Sequence, residues 1–130
     1  MKNKFNNGYY RFGDLYKKYS TLKSKSRKDF VEITNNKFIT YKNVFKNDFI
    51  VDDLEFGNVF ISQEENQNTT SYGDVIFTSS SETPVEIAMS SIVLTTKPLY
   101  VNSFCQAYKF IGPRNLVNFK YLGYYLRSQN

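Results

Sequence analysis

Residues 73–84 read GDVIFTSSSETP, and the switch of residue type within this stretch points to the fold class. The apolar run 75–78 consists of β-branched and aromatic residues, which favour a strand. The hydroxyl-rich run that follows ends in a proline and predicts a surface loop. Other β-forming runs lie on both sides of this stretch, and we expect them all to be strands of one sheet: 38–41, 49–51, 59–61, 92–95 and 100–110.

Helical periodicity occurs near the two ends of the chain. Four apolar residues at the N-terminal end recur at helical spacing: Phe12, Leu15, Tyr16 and Tyr19. Four more do so from about residue 115 onward: Leu116, Phe119, Leu122 and Leu126. Both groups predict amphipathic helices, the second capped by Asn115 or Asn118. The predicted fold class is therefore α+β, with one mixed, strongly twisted sheet flanked by a short N-terminal helix and a C-terminal helix.

The chain length fits a single domain. It has 130 residues, 41% of them hydrophobic, which is enough apolar material for one core. We expect one domain over residues 1–130, with residues 1–8 as a flexible tail and the polar, basic stretch 17–28 as an exposed loop.

The residue content excludes several kinds of chemistry. Cys105 is the only cysteine and there is no histidine, which rules out an internal disulfide, a zinc cluster and a His-assisted nucleophile. Two carboxylate pairs, at residues 52–53 and 64–65, are adjacent in sequence, so on a strand their side chains diverge. We expect no metal, no cofactor and no catalysis. The chain has neither a signal-peptide core nor an apolar run that could span a bilayer, so we expect a cytoplasmic protein without membrane contact.

Charge is segregated along the sequence. Residues 1–50, 51–96 and 97–130 carry net charges of +8, −8 and +5. If the two basic blocks meet in the fold, they form a positive surface suited to phosphates, apart from an acidic surface that nucleic acid would avoid. The alternative is that the lysines and arginines only solvate two exposed regions.

Two groups of polar residues are candidates for nucleic-acid contact. The basic group comprises Lys23, Lys25, Arg27, Lys28, Lys42 and Lys46, and the hydroxyl-rich group comprises Ser79, Ser80, Ser81 and Glu82. The cations suit phosphates, while the hydroxyls and the carboxylate can read base edges. The alternatives are a turn that bonds its own backbone at residues 79–82 or, least favoured, a hydrolase that uses this loop.

Five short motifs in order resemble those of the specificity subunits of type I restriction-modification systems. They are GDVIFTSSSETP at 73–84, GDL at 13–15, FITYKNV at 38–44, NSFC at 102–105 and YLGYYLRS at 121–128. Together they cover most of residues 12–128.

The resemblance implies a target recognition domain, which reads one half of a split site on double-stranded DNA. Methylation and cleavage would belong to separate partner subunits. It implies that residues 79–82 and the region from Lys37 to Lys46, with Tyr41, face DNA, and that Gly73 and Asp74 brace a turn. The partners implied are the methylation and restriction subunits and a second half-subunit.

Members of that family carry two such domains joined by long helices. This chain ends at Asn130 with neither a second recognition domain nor a complete spacer helix. A truncated gene product, a half-subunit and an excised domain all stay open. A different class of function also stays open, namely a protein-interaction module that associates with the partner subunits and binds DNA negligibly.

Overall fold

The structure is a computed structural model that describes residues 2–5, 8–78 and 89–128. Ten strands and three α-helices form within these ranges, so the predicted α+β class is confirmed. The strands are β1 (Lys2–Phe5), β2 (Gly8–Arg11), β3 (Tyr16–Tyr19), β4 (Lys37–Ile39), β5 (Phe49–Ile50), β6 (Gly57–Asn58), β7 (Val75–Thr78), β8 (Ser90–Val93), β9 (Tyr100–Val101) and β10 (Cys105–Phe110). The helices are α1 (Phe12–Leu15), α2 (Tyr41–Lys46) and α3 (Phe119–Ser128).

Strand β7 is the centre of a five-stranded mixed sheet with the order β3-β10-β7-β8-β5. It runs antiparallel to β10 and β8, with Thr78 opposite Cys105 and Phe77 opposite Ser90. Strand β3 closes one edge antiparallel to β10, and β5 closes the other edge parallel to β8. The four β-branched or aromatic residues of β7 have the boundaries that their sequence predicts.

Both faces of this sheet are covered. Alternate residues of β7 belong to different cores, because successive side chains of a strand point to opposite faces. Val75 packs with the buried Leu122 and Leu126 of α3, and Ile76 packs with Val44 of α2 and Val101 of β9. The five-stranded sheet is thus the middle layer of the described structure.

The prediction of a single sheet is wrong, since the strands divide into three. Strands β6, β4 and β9 form a separate three-stranded sheet, in which β4 pairs in parallel with β9 and antiparallel with β6. A third, two-stranded sheet pairs β1 with β2, where the sequence predicts a tail over residues 1–8.

The predicted N-terminal helix is shorter than expected. Its helical part ends at Leu15, and residues 16–19 form β3. A helix would place Tyr16 and Tyr19 on one side, whereas the strand sends Tyr16 to the α3 side and Tyr19 to the α2 side of the sheet. Pairing with β10 also satisfies the strand's backbone groups, which a surface helix of this length could not do for itself.

Two predicted strands end earlier than expected because polar side chains stop them. Thr40 caps α2, since its hydroxyl accepts from the Asn43 amide at 3.0 Å and the Asn43 side chain accepts from the Thr40 amide at 2.9 Å. The predicted strand 38–41 therefore becomes β4 followed by a helix. The predicted strand 100–110 ends first at Val101, because a turn follows in which the Asn102 side chain accepts from the Phe104 amide at 2.7 Å.

The other predicted boundaries shift by a few residues. Residues 59–61 follow β6 without being a strand, and β8 begins at Ser90 instead of Ile92. Helix α3 begins at Phe119 after a 3-10 turn at Arg114–Leu116. The predicted cap at Asn118 is confirmed, because its side chain accepts from the Tyr121 amide at 3.0 Å.

Candidate nucleic-acid interface

Two adjoining depressions of about 380 and 480 Å³ form one groove at the end of the five-stranded sheet. They meet at Leu22 and Ser103, which line both. We call the whole the basic groove, and its lining consists of residues 18–27, Phe30, Phe38 and residues 102–106. Among the described residues, this lining contains four cations and no carboxylate, so its described part presents positive charge to a ligand.

Three of the four cations face solvent. Lys18, Lys23 and Arg27 are exposed, and neither of the two ion pairs formed among the described residues involves them. Lys18 lies on the edge strand β3, where lysine also serves to prevent edge-to-edge pairing. Three free cations in one groove can contact three phosphates.

Lys25 has a structural role instead. Its ammonium lies 2.5 Å from the Glu65 carboxylate and donates to the Phe60 carbonyl at 2.6 Å, and its side chain is only 6% exposed. Ser24 between Lys23 and Lys25 has left-handed backbone, with φ of 60°, which separates the exposed cation from the buried one. The sequence grouped the two lysines as phosphate candidates, but the Glu65 partner removes Lys25 from that group.

The loop that carries Lys23 is fixed from behind. The Gln67 side chain accepts from the Lys23 amide at 3.2 Å and donates to the Lys23 carbonyl at 2.8 Å. Asn68 donates to the carbonyl and hydroxyl of Ser20, and the Leu22 amide donates to Val101. The groove wall is therefore held in place before any ligand arrives.

Several elements converge on the turn at residues 102–105, which forms the opposite wall. The Asn102 amide donates to the Ile39 carbonyl, one residue before the cap of α2. Thr78, the last residue of β7, pairs with Cys105. The start of α2 and the end of β7 thus adjoin the wall of the basic groove.

The remaining predicted site residues lie at different distances from the turn at residues 102–105. Tyr41 and Lys42 open α2 beside the turn, whereas Lys46 ends the helix, and both lysines are exposed. Lys37 begins β4 at the end away from α2, and its ammonium donates to Asn58. Lys28 is exposed but does not line the groove.

Residues 79–82 lie outside the described residues. Their flanks are described, however, because the Met89 amide donates to the Thr78 hydroxyl at 2.8 Å and the Thr78 amide donates to the Met89 carbonyl. Thr78 and Met89, the described residues on either side of this segment, are therefore neighbours, and Thr78 pairs with Cys105.

A buried polar network supports the groove from inside the sheet. The Asp74 carboxylate accepts from the Tyr19 hydroxyl at 2.7 Å and the Ser71 amide at 2.9 Å, and lies 3.4 Å from the Lys109 ammonium. Burial, and after it the negative charge of Asp74, raises the pKa of Tyr19, so its hydroxyl stays protonated and donates. Tyr16 donates likewise to the Gly73 carbonyl. Both tyrosines belong to the strand that carries Lys18.

The described residues offer little else for chemistry. They contain no cluster of three metal-ligating side chains, and none of their helices is long and apolar enough to cross a membrane. Burial raises the pKa of the Cys105 thiol to about 12, so this group is protonated at neutral pH and is a poor nucleophile.

Several groove residues were not singled out as DNA contacts from the sequence. They are Lys18, Asn102, Ser103, Phe104 and Gln106. A local signal exists for the turn, because Asn102 and Ser103 are a polar turn pair inside a β-forming run. Lys18 belongs to the basic stretch 17–28 that the sequence predicts to be exposed, and the pairing of β3 with β10 makes it a groove residue.

No family model, curated protein or solved structure matches the chain.

Proposed function

We propose that this chain is a cytoplasmic, non-catalytic domain that binds double-stranded DNA and reads a short sequence, as a target recognition domain does. The observation that carries the proposal is the basic groove, whose lining combines exposed cations with amide and hydroxyl side chains and, among the described residues, contains no carboxylate. Phosphate contacts position a protein on a duplex, and polar side chains in the groove read the bases. In this proposal methylation and restriction subunits act as the partners that carry out chemistry.

Positive charge attracts any acidic ligand and does not by itself select nucleic acid. The second support for the proposal is the arrangement of cations, polar turn and helix around the groove. Lys23 and Arg27 line the basic groove together with the turn that carries Asn102 and Ser103, and the start of α2 lies next to that turn. A short helix and a polar turn beside a cationic wall suit the major groove of DNA, where base edges differ most.

The test is a binding titration of labelled duplexes as a function of salt, after selection of a preferred sequence from random duplexes. Three matched pairs separate groove charge from net charge: Lys18→Ala against Lys17→Ala, and Lys23→Ala or Arg27→Ala against Lys97→Ala. Lys17 and Lys18 are neighbours on β3 that point to opposite faces, and Lys97 is exposed without lining the groove. Each groove variant should reduce the slope of log K against log salt by about 0.9, and the controls should leave it unchanged.

Two results would contradict the proposal. Equal affinity for all duplexes would show that the chain does not recognise a sequence. Equal effects of the groove variants and the control variants would show that the basic groove is not the DNA-binding surface.

A second function, protein association, is favoured by α3, on which Tyr121 and Tyr124 are 61% and 60% exposed. Such aromatic side chains are frequent at protein interfaces. Co-purification with a methylation subunit that depends on these tyrosines, together with no duplex binding at low salt, would select this function.

A further inference from the structure

Phe104 is an apolar ring at the tip of the turn between β9 and β10. It is 71% exposed, although most phenylalanine side chains of the described chain pack into a core. Its backbone is fixed, because its amide donates to the Asn102 side chain at 2.7 Å and the next amide donates to the Asn102 carbonyl at 3.0 Å. The exposed ring is therefore held on a tight turn.

The neighbours of the ring distinguish it from other exposed apolar residues. Phe104 lines the basic groove together with Asn102 and Ser103, and Gln106 lines the adjoining part. Ile33 and Ile111 are also exposed but do not line the groove. Phe30 does line it, but it is less exposed, at 45%, and its ring packs on Phe38. Phe104 would thus be brought to DNA by the same cations that hold the phosphates.

The Phe104 ring beside the carboxamides of Asn102 and Gln106 matches an adenine–thymine pair better than a guanine–cytosine pair. In the major groove, adenine offers N7 and its N6 amino group, which pair with the amide of asparagine or glutamine. Its partner thymine presents a C5-methyl group, which is the apolar feature of that groove. A guanine–cytosine pair offers no methyl group there, and its strongest partner is an arginine or a lysine.

We propose that Phe104 contacts the C5-methyl group of a thymine and so selects an adenine–thymine pair in the recognised sequence. This inference rests on the proposed DNA-binding function. An apolar wedge inserted between base steps is the other use of an exposed phenylalanine, and it depends on step flexibility and not on the methyl group.

Replacement of thymine by uracil removes only the methyl group, so it tests the contact directly. The full chain, Phe104→Ala, Phe104→Leu and Ile111→Ala are titrated with the selected duplex and with duplexes that carry uracil at one thymine position each. Ile111 is the matched control, since it is 56% exposed and lies past the opposite end of β10.

At one position, uracil should weaken binding by the unaltered chain and by Ile111→Ala about 3- to 5-fold, as expected for one methyl group removed from water. Phe104→Ala should bind the thymine duplex more weakly by at least that factor and show no uracil effect at that position. Phe104→Leu should keep part of the uracil effect, because leucine still offers an apolar contact. Urea unfolding of each variant checks that the fold is kept.

The outcomes separate this inference from the function on which it rests. Sequence-selective binding in which uracil affects the unaltered chain and Phe104→Ala equally at every position overturns the contact alone. A selected sequence without an adenine–thymine pair does the same. The absence of any sequence preference overturns both the contact and the proposed function.

Discussion

Asp74 shows how a single residue couples the core to the groove. It is fully buried in the turn that precedes β7. Its Oδ2 oxygen accepts hydrogen bonds from Tyr19 and Ser71 and forms an ion pair with Lys109. The other oxygen, Oδ1, has no hydrogen-bond partner among the described residues. A buried charge is tolerated only where its partners offset the loss of water, so the network must stay complete.

We expect Asp74→Asn to lower the free energy of unfolding by about 2 kcal/mol, the usual loss when hydrogen bonds to a charged group are weakened. The change keeps the shape of the side chain but removes the charge that Lys109 and Tyr19 contact. Urea unfolding measures the effect. Asp53→Asn, at an exposed turn, is the control and should stay within about 0.5 kcal/mol of the unaltered chain. Equal effects of the two changes would contradict the role of the network.

At the scale of elements, the turn before β7 depends on a glycine. Gly73 has φ of +94°, and a Cβ atom there would lie 2.7 Å from the Phe119 ring of α3. Both the backbone and the packing therefore exclude a side chain. The resemblance to specificity subunits gave Gly73 this structural role, and the φ value and the ring contact supply its physical reason.

Gly73→Ala should destabilise the fold by about 2 to 3 kcal/mol, because strained backbone and the displaced ring both contribute. Gly13→Ala is the matched change within α1, where nothing lies within 4 Å of an added Cβ. It should be neutral or stabilise by up to about 1 kcal/mol, since alanine favours a helix. Thermal or urea unfolding compares the two variants, and a loss at residue 13 as large as that at residue 73 would refute this account.

The loop behind the groove depends on pH through Glu65. Hydrogen bonds from Gln67, then from Lys25 and the Ser62 amide, lower the pKa of this carboxyl from 4.5 to about 2. A carboxyl whose pKa is lower in the folded state stabilises the fold above its unfolded pKa, and this contribution is lost as the pH falls toward the folded value. The stabilisation is therefore complete above about pH 5 and decreases between about pH 4.5 and 2.

Glu65→Gln should lower the urea midpoint at about pH 6, and the difference from the unaltered chain should shrink as the pH falls to about 3. Glu64→Gln, the exposed neighbour, should show no such pH-dependent difference. A difference that stays constant from about pH 6 to 3 would mean that the ionised Glu65 carboxylate does not brace the loop.

At the scale of the whole molecule, two opposite edges of the five-stranded sheet carry opposite charge. Lys17 and Lys18 lie on the edge strand β3, and Asp52 and Asp53 follow the other edge strand, β5. Four strand spacings separate the two edges, which is about 19 Å. The −8 segment is not wholly apart from the basic residues, however, because Glu65 neutralises Lys25.

We expect the double change Asp52→Asn with Asp53→Asn to alter duplex affinity by less than about 2-fold at physiological salt. The Debye length there is about 8 Å, so charges at the far edge are screened from the groove. At about 0.01 M salt, where screening extends to about 30 Å, the same change should strengthen binding measurably. Stronger binding at physiological salt would place Asp52 and Asp53 beside the DNA, and unchanged binding at both salts would show that long-range charge is irrelevant.

The sequence by itself determined the α+β class and the identity of most β-forming segments. Residues 75–78 form β7 as predicted, because four β-branched or aromatic residues flanked by Gly73-Asp74 and Ser79 leave little choice of local structure. The sequence also identified Lys23 and Arg27 as exposed cations, since an exposed, basic stretch follows directly from composition. The capping pair at Thr40 and Asn43 is present in the sequence, but the β-forming character of residues 38–41 extended the predicted strand to Tyr41, the first residue of α2.

Tertiary structure alone decided which strands share a sheet and which cations stay free. Lys23 and Lys25 are two residues apart and have the same chemistry, yet Glu65, forty residues away in sequence, binds only Lys25. Lys18 and Phe104 line one groove only because β3 pairs with β10 and because the chain turns at residues 102–105. Such contacts depend on distances between segments remote in sequence, and local composition and periodicity carry no information about those distances.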